Sequence, residues 1–233
     1  MSDAAPVRVL SPSAVHSSLE AIVEAHRSRG GGEVRLKFET APAMKQLLEA
    51  GEPADIVVAP PAVMEEIAQR GKVAAGERIV LGRAGVGVMV RAGQPAPDVS
   101  TTEALKRALL DADAIVHTRA SSGTYVAQLL ARLGLSERIA ARTRSFHDAQ
   151  ETFTYFLGLK GRDIGFGGIP EIRRWTDRGL RLAGPLPPDI QNYTAYAAAL
   201  AAHPLNPAGA RRFLRFLAGP EARAIFTAHG VEP

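Results

Sequence analysis

The run Ala114-Ile115-Val116-His117-Thr118-Arg119-Ala120-Ser121-Ser122-Gly123-Thr124-Tyr125 joins an apolar strand, a hydroxyl-rich turn and the start of a helix. From Tyr125 onward, Val126, Leu129, Leu130 and Leu133 recur at helical spacing, which puts Ser121 or Ser122 where an N-cap belongs. A helix start carries backbone N–H groups without intrahelical partners and a partial positive charge. With the hydroxyls of Ser121, Ser122 and Thr124, the backbone of Gly123 and the fixed charge of Arg119, this turn is a candidate receptor for a carboxylate, phosphate or other oxyanion. The competing reading is that the serines only cap the helix.

What argues for more than a cap is repetition. Val7 to Leu10 reads as a strand, followed by the turn Ser11-Pro12-Ser13-Ala14-Val15-His16 and a helix with Leu19, Ile22, Val23 and His26 on one side, stopped by Gly30-Gly31-Gly32. Val34 to Phe38 alternates as a half-buried strand, and Glu39-Thr40-Ala41-Pro42 opens the next helix. Residues 54–59 form an apolar strand leading to a helix opened by Pro60-Pro61. Three strand–turn–helix units within 70 residues argue for a mainly parallel α/β sheet with binding at the carboxyl ends of the strands.

The pattern changes at Ile79. Residues 79–81 and 86–90 read as two strands without a helix between them, and residues 82–92 as a connection into a second lobe. That lobe repeats the architecture: a helix over 102–112, the strand and receptor turn already described, a strand near 142–146, a helix from about Asp148 to Leu159, then Asp163-Ile164-Gly165-Phe166-Gly167-Gly168-Ile169-Pro170 as strand, glycine turn and helix start. Residues 193–200 form a strand that recrosses between the lobes, and two terminal helices begin at Asn206-Pro207 and Gly219-Pro220. The expected division is 1–81 with 201–233 as lobe 1 and 82–200 as lobe 2, the latter including hinge strands near 82–92 and 191–200.

Composition narrows the chemistry. A net charge of +4 suits an anionic small ligand, but the basic residues are scattered and aromatics amount to 6%, which argues against nucleic acid. The absence of cysteine excludes disulfides, thiolate metal sites and cysteine nucleophiles, and the six histidines never pair at i, i+4, so neither metal nor cofactor is expected. Gly165-Phe166-Gly167-Gly168 lacks the spacing of a phosphate or dinucleotide loop. No apolar run approaches the ~18 residues of a membrane span. The first ten residues carry no leader pattern, which reads as cytoplasmic, or periplasmic if a leader has been removed.

The segments Thr40-Ala41-Pro42, residues 49–59 and Ser121-Ser122-Gly123-Thr124-Tyr125, with the late run 213–226, resemble the molybdate-binding periplasmic protein family over almost the whole chain. The resemblance implies a type II periplasmic-binding-protein fold: two α/β lobes with mainly parallel sheets, joined by crossing strands and closing over an anion in an interlobe cleft. It places the ligand contacts at Ser11, Ser13 and Ala14, at Thr40 and Ala41, at Ser121 and Ser122, at Gln150 and at Gly168, where the family's tyrosine is missing. Arg119, expected as a buried guanidinium, and His16 point to a larger, carboxylated ligand than a metal oxyanion.

The segments Thr40-Ala41-Pro42 and 54–57 also resemble aconitate isomerases, which move a double bond and a proton within an unsaturated tricarboxylate. That branch implies several carboxylate clamps and one group that takes and returns a carbon-bound proton. His16 is the first candidate, with Lys45, His147, Glu151 and Tyr155 behind it; the alternative for His16 is a polar first-turn residue facing water. Two functions stay open: a solute-binding protein for a di- or tricarboxylate, partnered by an ABC transporter permease if exported, or an isomerase that uses a closed cleft to exclude water.

Overall fold

A computed structural model of the chain describes residues 5–74, 76 and 78–233. The reading of the extreme N-terminus as lacking a leader rests in part on residues 1–4, which lie outside them. In chain order the elements are β1 (Val7–Ser11), α1 (His16–Ser28), β2 (Val34–Phe38), α2 (Ala41–Glu49), β3 (Ile56–Ala59), α3 (Pro61–Gln69), β4 (Ile79–Arg91), α4 (Thr102–Asp111), β5 (Ile115–Thr118) and α5 (Ser121–Arg132). There follow α6 (Ser136–Ile139), β6 (Thr143–Phe146), α7 (Ala149–Gly158), β7 (Ile164–Gly168), α8 (Ile169–Arg174), β8 (Leu180–Pro185), β9 (Tyr193–Leu200), α9 (Pro207–Leu217) and α10 (Pro220–Ala228).

The chain divides into two compact units, Met1–Arg83 with Ala195–Pro233, and Ala84–Thr194. It passes from one to the other within β4 and again within β9. In unit 1, β1 lies between β2 and β3 and is parallel to both, while β9 pairs antiparallel with β3. That pairing joins residues 56–59 to residues 197–200, which is why the end of β9 goes with unit 1 rather than with the second lobe to which the sequence reading assigned it. Met44, Val57, Met64 and Ile67 fill the core beneath α2 and α3. Leu19 and Ile22 of α1, Phe213 of α9 and Phe226 of α10 are fully buried where those helices meet.

In unit 2 the parallel trio is β6, β5 and β7, and β4 runs antiparallel to both β7 and β8. Leu105, Leu109, Val126 and Leu129 pack over one part of the core, and Phe153, Phe156 and Trp175 over another. Both sheets are therefore parallel at the strands that feed the helices and antiparallel where the chain crosses over.

The two strands expected at 79–81 and 86–90 are one 13-residue strand. Glycine makes the continuity possible: Gly82 has φ 132°, and the carbonyl of Glu232 lies where a Cβ would sit. Arg83 and Glu232 then exchange backbone hydrogen bonds. A second difference lies after β1, where a single helical turn at Ser13–Val15 precedes α1 proper.

Candidate functional site

In unit 1 the carboxyl ends of β1 and β2 are side by side, with Ser11 in register with Phe38 and the amide of Glu39 donating to the carbonyl of Ser11 at 3.0 Å. Two helix mouths consequently open on one sheet edge. Ser11 is fully buried and its hydroxyl donates to the Pro12 carbonyl at 3.2 Å, so it shapes the turn. The amides of Ser13 and Ala14 have no acceptor among the described residues. At α2 the N-cap is Thr40, whose Oγ1 stands 3.5 Å from the Ala43 amide. Pro42 has no N–H, which leaves the amide of Ala41 as the open donor of that mouth.

His16 begins α1. Its ring stacks on Phe38 at 3.7 Å between centroids and 12° between planes, and its Nε2 lies 3.0 Å from Glu20 Oε1. The imidazole is therefore oriented by a carboxylate one turn along the helix and held flat at the end of β2.

In unit 2, β5 and β6 end in register, Thr118 against Phe146, and the amide of Arg119 donates to the Phe146 carbonyl at 2.7 Å. The N-cap of α5 is Ala120, not Ser121 or Ser122, and no side chain caps it. The reason is local: Thr118 Oγ1 accepts from the Ala120 amide at 3.2 Å, which starts the helix one residue earlier. The first intrahelical bond runs from the Thr124 amide to Ala120, leaving the amides of Ser121, Ser122 and Gly123 without an intrahelical acceptor. Thr124 Oγ1 approaches the Arg119 carbonyl at 3.4 Å. Arg119 itself is exposed rather than buried, because it is the first residue past the end of β5. No acceptor for its guanidinium occurs among the described residues.

The α7 mouth differs. Asp148 caps it by accepting from the Glu151 amide at 2.9 Å, and Glu151 Oε2 in turn accepts from the His147 amide at 3.1 Å. This reciprocal pair resembles a capping box and fills the mouth with the protein's own negative charge. Exposed Gln150 keeps its amide open, but an anion arriving there meets Asp148. Sequence reading passed over this pair although Asp-x-x-Glu at a helix start announces it.

Gly168 is buried and caps α8, and its amide bonds the carboxyl of Glu171. Glu171 was also passed over; its signal was an acid in the first turn of a helix opened by Pro170. Burial of the carboxyl, reinforced by Asp148, pushes its pKa up to about 7, against the opposing pull of the Gly168 amide and Arg174. The folded pKa is thus raised above the ordinary carboxylate value, so the native state holds the proton more tightly than the unfolded chain. Stability should fall as pH rises from about 4.5 to about 7 and stay reduced above. Glu171→Gln should raise the melting temperature at pH 8 by the equivalent of on the order of 2 kcal/mol, allowing for partial solvent screening, and leave it unchanged near pH 4. Equal shifts at both pH values would remove the titration argument.

The remaining candidates are dispersed. Lys45 Nζ pairs with Glu66 Oε2 at 2.6 Å, linking α2 to α3. His147 is exposed, and Tyr155 lies against Phe146 at 4.7 Å. His117 is buried with Nδ1 2.8 Å from the Thr118 carbonyl, directed at its own strand end rather than at solvent. Trp175 is a core residue packed edge-on to Phe153. Among the described residues no group of three His, Cys, Asp or Glu could hold a metal, and no helix is long and apolar enough to cross a membrane.

The profile of a family described as bacterial extracellular solute-binding protein matches residues 7–232. An aconitate isomerase of Pseudomonas sp. is 26% identical over 233 residues, covering 97% of this chain and 87% of that protein. The periplasmic molybdate-binding protein of Azotobacter vinelandii superposes with a TM-score of 0.79 at 17% identity, covering 97% of this chain and 99% of the other. A structure titled as the tungstate ABC transporter from Geobacter sulfurreducens gives 0.71 at 13% identity, over 96% and 98%. At such identities the solved structures establish the fold alone.

Proposed function

The chain belongs to the bacterial extracellular solute-binding protein family, and from that premise we propose that it binds a small di- or tricarboxylate at the helix mouths of its strand ends. Unit 1 would offer the amides of Ser13, Ala14 and Ala41 with the Thr40 hydroxyl, and unit 2 the amides of Ser121, Ser122 and Gly123 with Arg119. The observation that carries the reading is at the α5 mouth, where the amides of Ser121, Ser122 and Gly123 and the Arg119 guanidinium have no acceptor among the described residues. Neutral donors alone suit a compact metal oxyanion, whereas an Arg fork pairs with a carboxylate through two parallel hydrogen bonds. In a cell that exports the protein, its partner would be the permease of an ABC transporter.

A second reading, an isomerase acting on aconitate, is favoured by the relative of that name aligned over 97% of the chain and by the imidazole of His16, whose Nε2 lies 3.0 Å from Glu20 Oε1. The step is redox-neutral: a base takes a proton from the methylene carbon, the electron pair becomes the new C=C bond, the old C=C bond shifts its electrons to the far carbon, and that carbon receives a proton. His16, oriented by Glu20, is the candidate base.

One experiment addresses both readings. Titration of the protein with cis-aconitate, citrate, succinate and molybdate, followed by thermal shift and calorimetry, should show the carboxylates raising the melting temperature by mass action. Arg119→Ala should weaken carboxylate binding by about tenfold to a hundredfold. Tight molybdate binding with no response to organic acids would reject the carboxylate assignment. Proton NMR of the cis-aconitate sample in D2O reads the isomerase: trans-aconitate with solvent deuterium, lost in His16→Ala, supports it, and unchanged cis-aconitate overturns it.

A further inference from the structure

Away from the strand-end mouths, unit 1 has a cavity of about 330 Å³ where the end of α1 meets α9, lined by His26, Arg29, Arg212, Arg215 and Phe216. We propose that this cavity is a second anion site, taking a small organic dianion of the phosphate-monoester type on Arg212 and Arg215 over the His26 and Phe216 rings.

The charge balance argues for a dianion. Arg29 is matched by Glu221 of α10, with Nε to Oε2 at 2.6 Å. Arg212 and Arg215 form no ion pair among the described residues, which leaves the cavity two positive charges in excess. They stand three residues apart on one helix, where like charges repel, and a shared dianion converts that repulsion into attraction. The other charged pair near the end of α1, Arg27 with Glu24, is internally satisfied at 2.7 Å. The negative end of the α1 dipole is blunted because the amides of Gly30 and Gly31 bond the carbonyls of Arg27 and His26 at 3.0 and 2.9 Å.

The wall of the cavity is aromatic. The His26 ring is 5.1 Å from both Phe213 and Phe216, and the residue is 6% exposed. Burial first, and the Arg212 charge second, hold its pKa below the ordinary value, so the imidazole is neutral near pH 7. A bound dianion offsets Arg212 and favours imidazolium, so binding takes up a proton and tightens as pH falls.

Inorganic phosphate, sulfate and succinate are the probes, read at the His26 ring by long-range proton–nitrogen NMR and by calorimetry. Sulfate, which stays dianionic across the range, should raise the His26 pKa and bind more tightly at pH 5.5 than at pH 8. Arg212→Ala with Arg215→Ala should weaken sulfate and phosphate by about tenfold or more, with Arg212→Lys recovering part of the loss. Succinate shifting the His26 ring signals at lower concentration than phosphate does would overturn the phosphate class. Sulfate affinity unchanged in the double variant, or an unmoved His26 pKa, would overturn the site. Arg119→Ala should leave sulfate binding here intact, so failure at this cavity and failure at the strand-end mouths are separately visible.

Discussion

Gly123→Val is expected to abolish ligand binding at the α5 mouth and to destabilise the fold by about 3 kcal/mol or more. The carbonyl of Thr118 occupies the place a Cβ on residue 123 would need, and Thr118 Oγ1 stands 2.6 Å from it. Neither group can yield cheaply. The Thr118 backbone is the last rung of β5, in register with Phe146, and its hydroxyl holds the Ala120 amide that sets the start of α5. A side chain at 123 therefore levers the first turn of α5 off the strand end, and the open amides at 121 to 123 lose their common direction. Calorimetry with the best carboxylate and a thermal melt measure the two effects. A valine variant with wild-type melting temperature and affinity would show that the close approach of α5 to β5 does not set the mouth. Ser121→Gly is the control, since it leaves the amides in place.

Asp55→Ala is expected to cost about 3–5 kcal/mol. Asp55 has no exposed surface; its Oδ2 accepts from the Arg8 amide at 2.8 Å and its Oδ1 from the Asn206 amide at 2.7 Å. It fastens the start of β1 to the residue that caps α9 through the Gly209 amide at 2.9 Å. Removing the carboxylate leaves two half-buried amides without their acceptor and frees the α9 cap. In a chain of this length the loss corresponds to a fall in melting temperature of roughly 10 °C. Asp55→Asn should recover only part of it, because its amide group presents one oxygen and one NH2 to two donors. A melting temperature within a degree of wild type in the alanine variant would refute the tie.

Asp55 shows how residue and role separate. Its place in the run Ala54-Asp55-Ile56 helped to mark the family resemblance, yet its work is structural and lies with partners 47 and 151 residues away. Periodicity was enough to find most of the elements: apolar strands followed by proline-opened or hydroxyl-capped helices announce the parallel α/β units, since spacing and capping are local properties. The same local rules located the helix mouths at 11–16, 40–43 and 119–125.

What local rules could not reach was decided by neighbours distant in sequence. The alternation changes at Ile79, but the single strand in place of two goes with the backbone of Glu232 lying against Gly82 and bridging Arg83. Arg119 carries the same charge in any fold, and its exposure follows from where β5 stops relative to β6. Glu171 is an ordinary first-turn acid in the sequence; tertiary packing encloses its carboxyl near Asp148 and moves its titration toward neutrality. The sequence by itself determined which elements form and where their amide-rich ends fall, because helix and strand signals act over a few residues. Tertiary structure alone decided which of those ends stay open and which groups change protonation near neutral pH, because burial and electric field are set by whatever packs alongside.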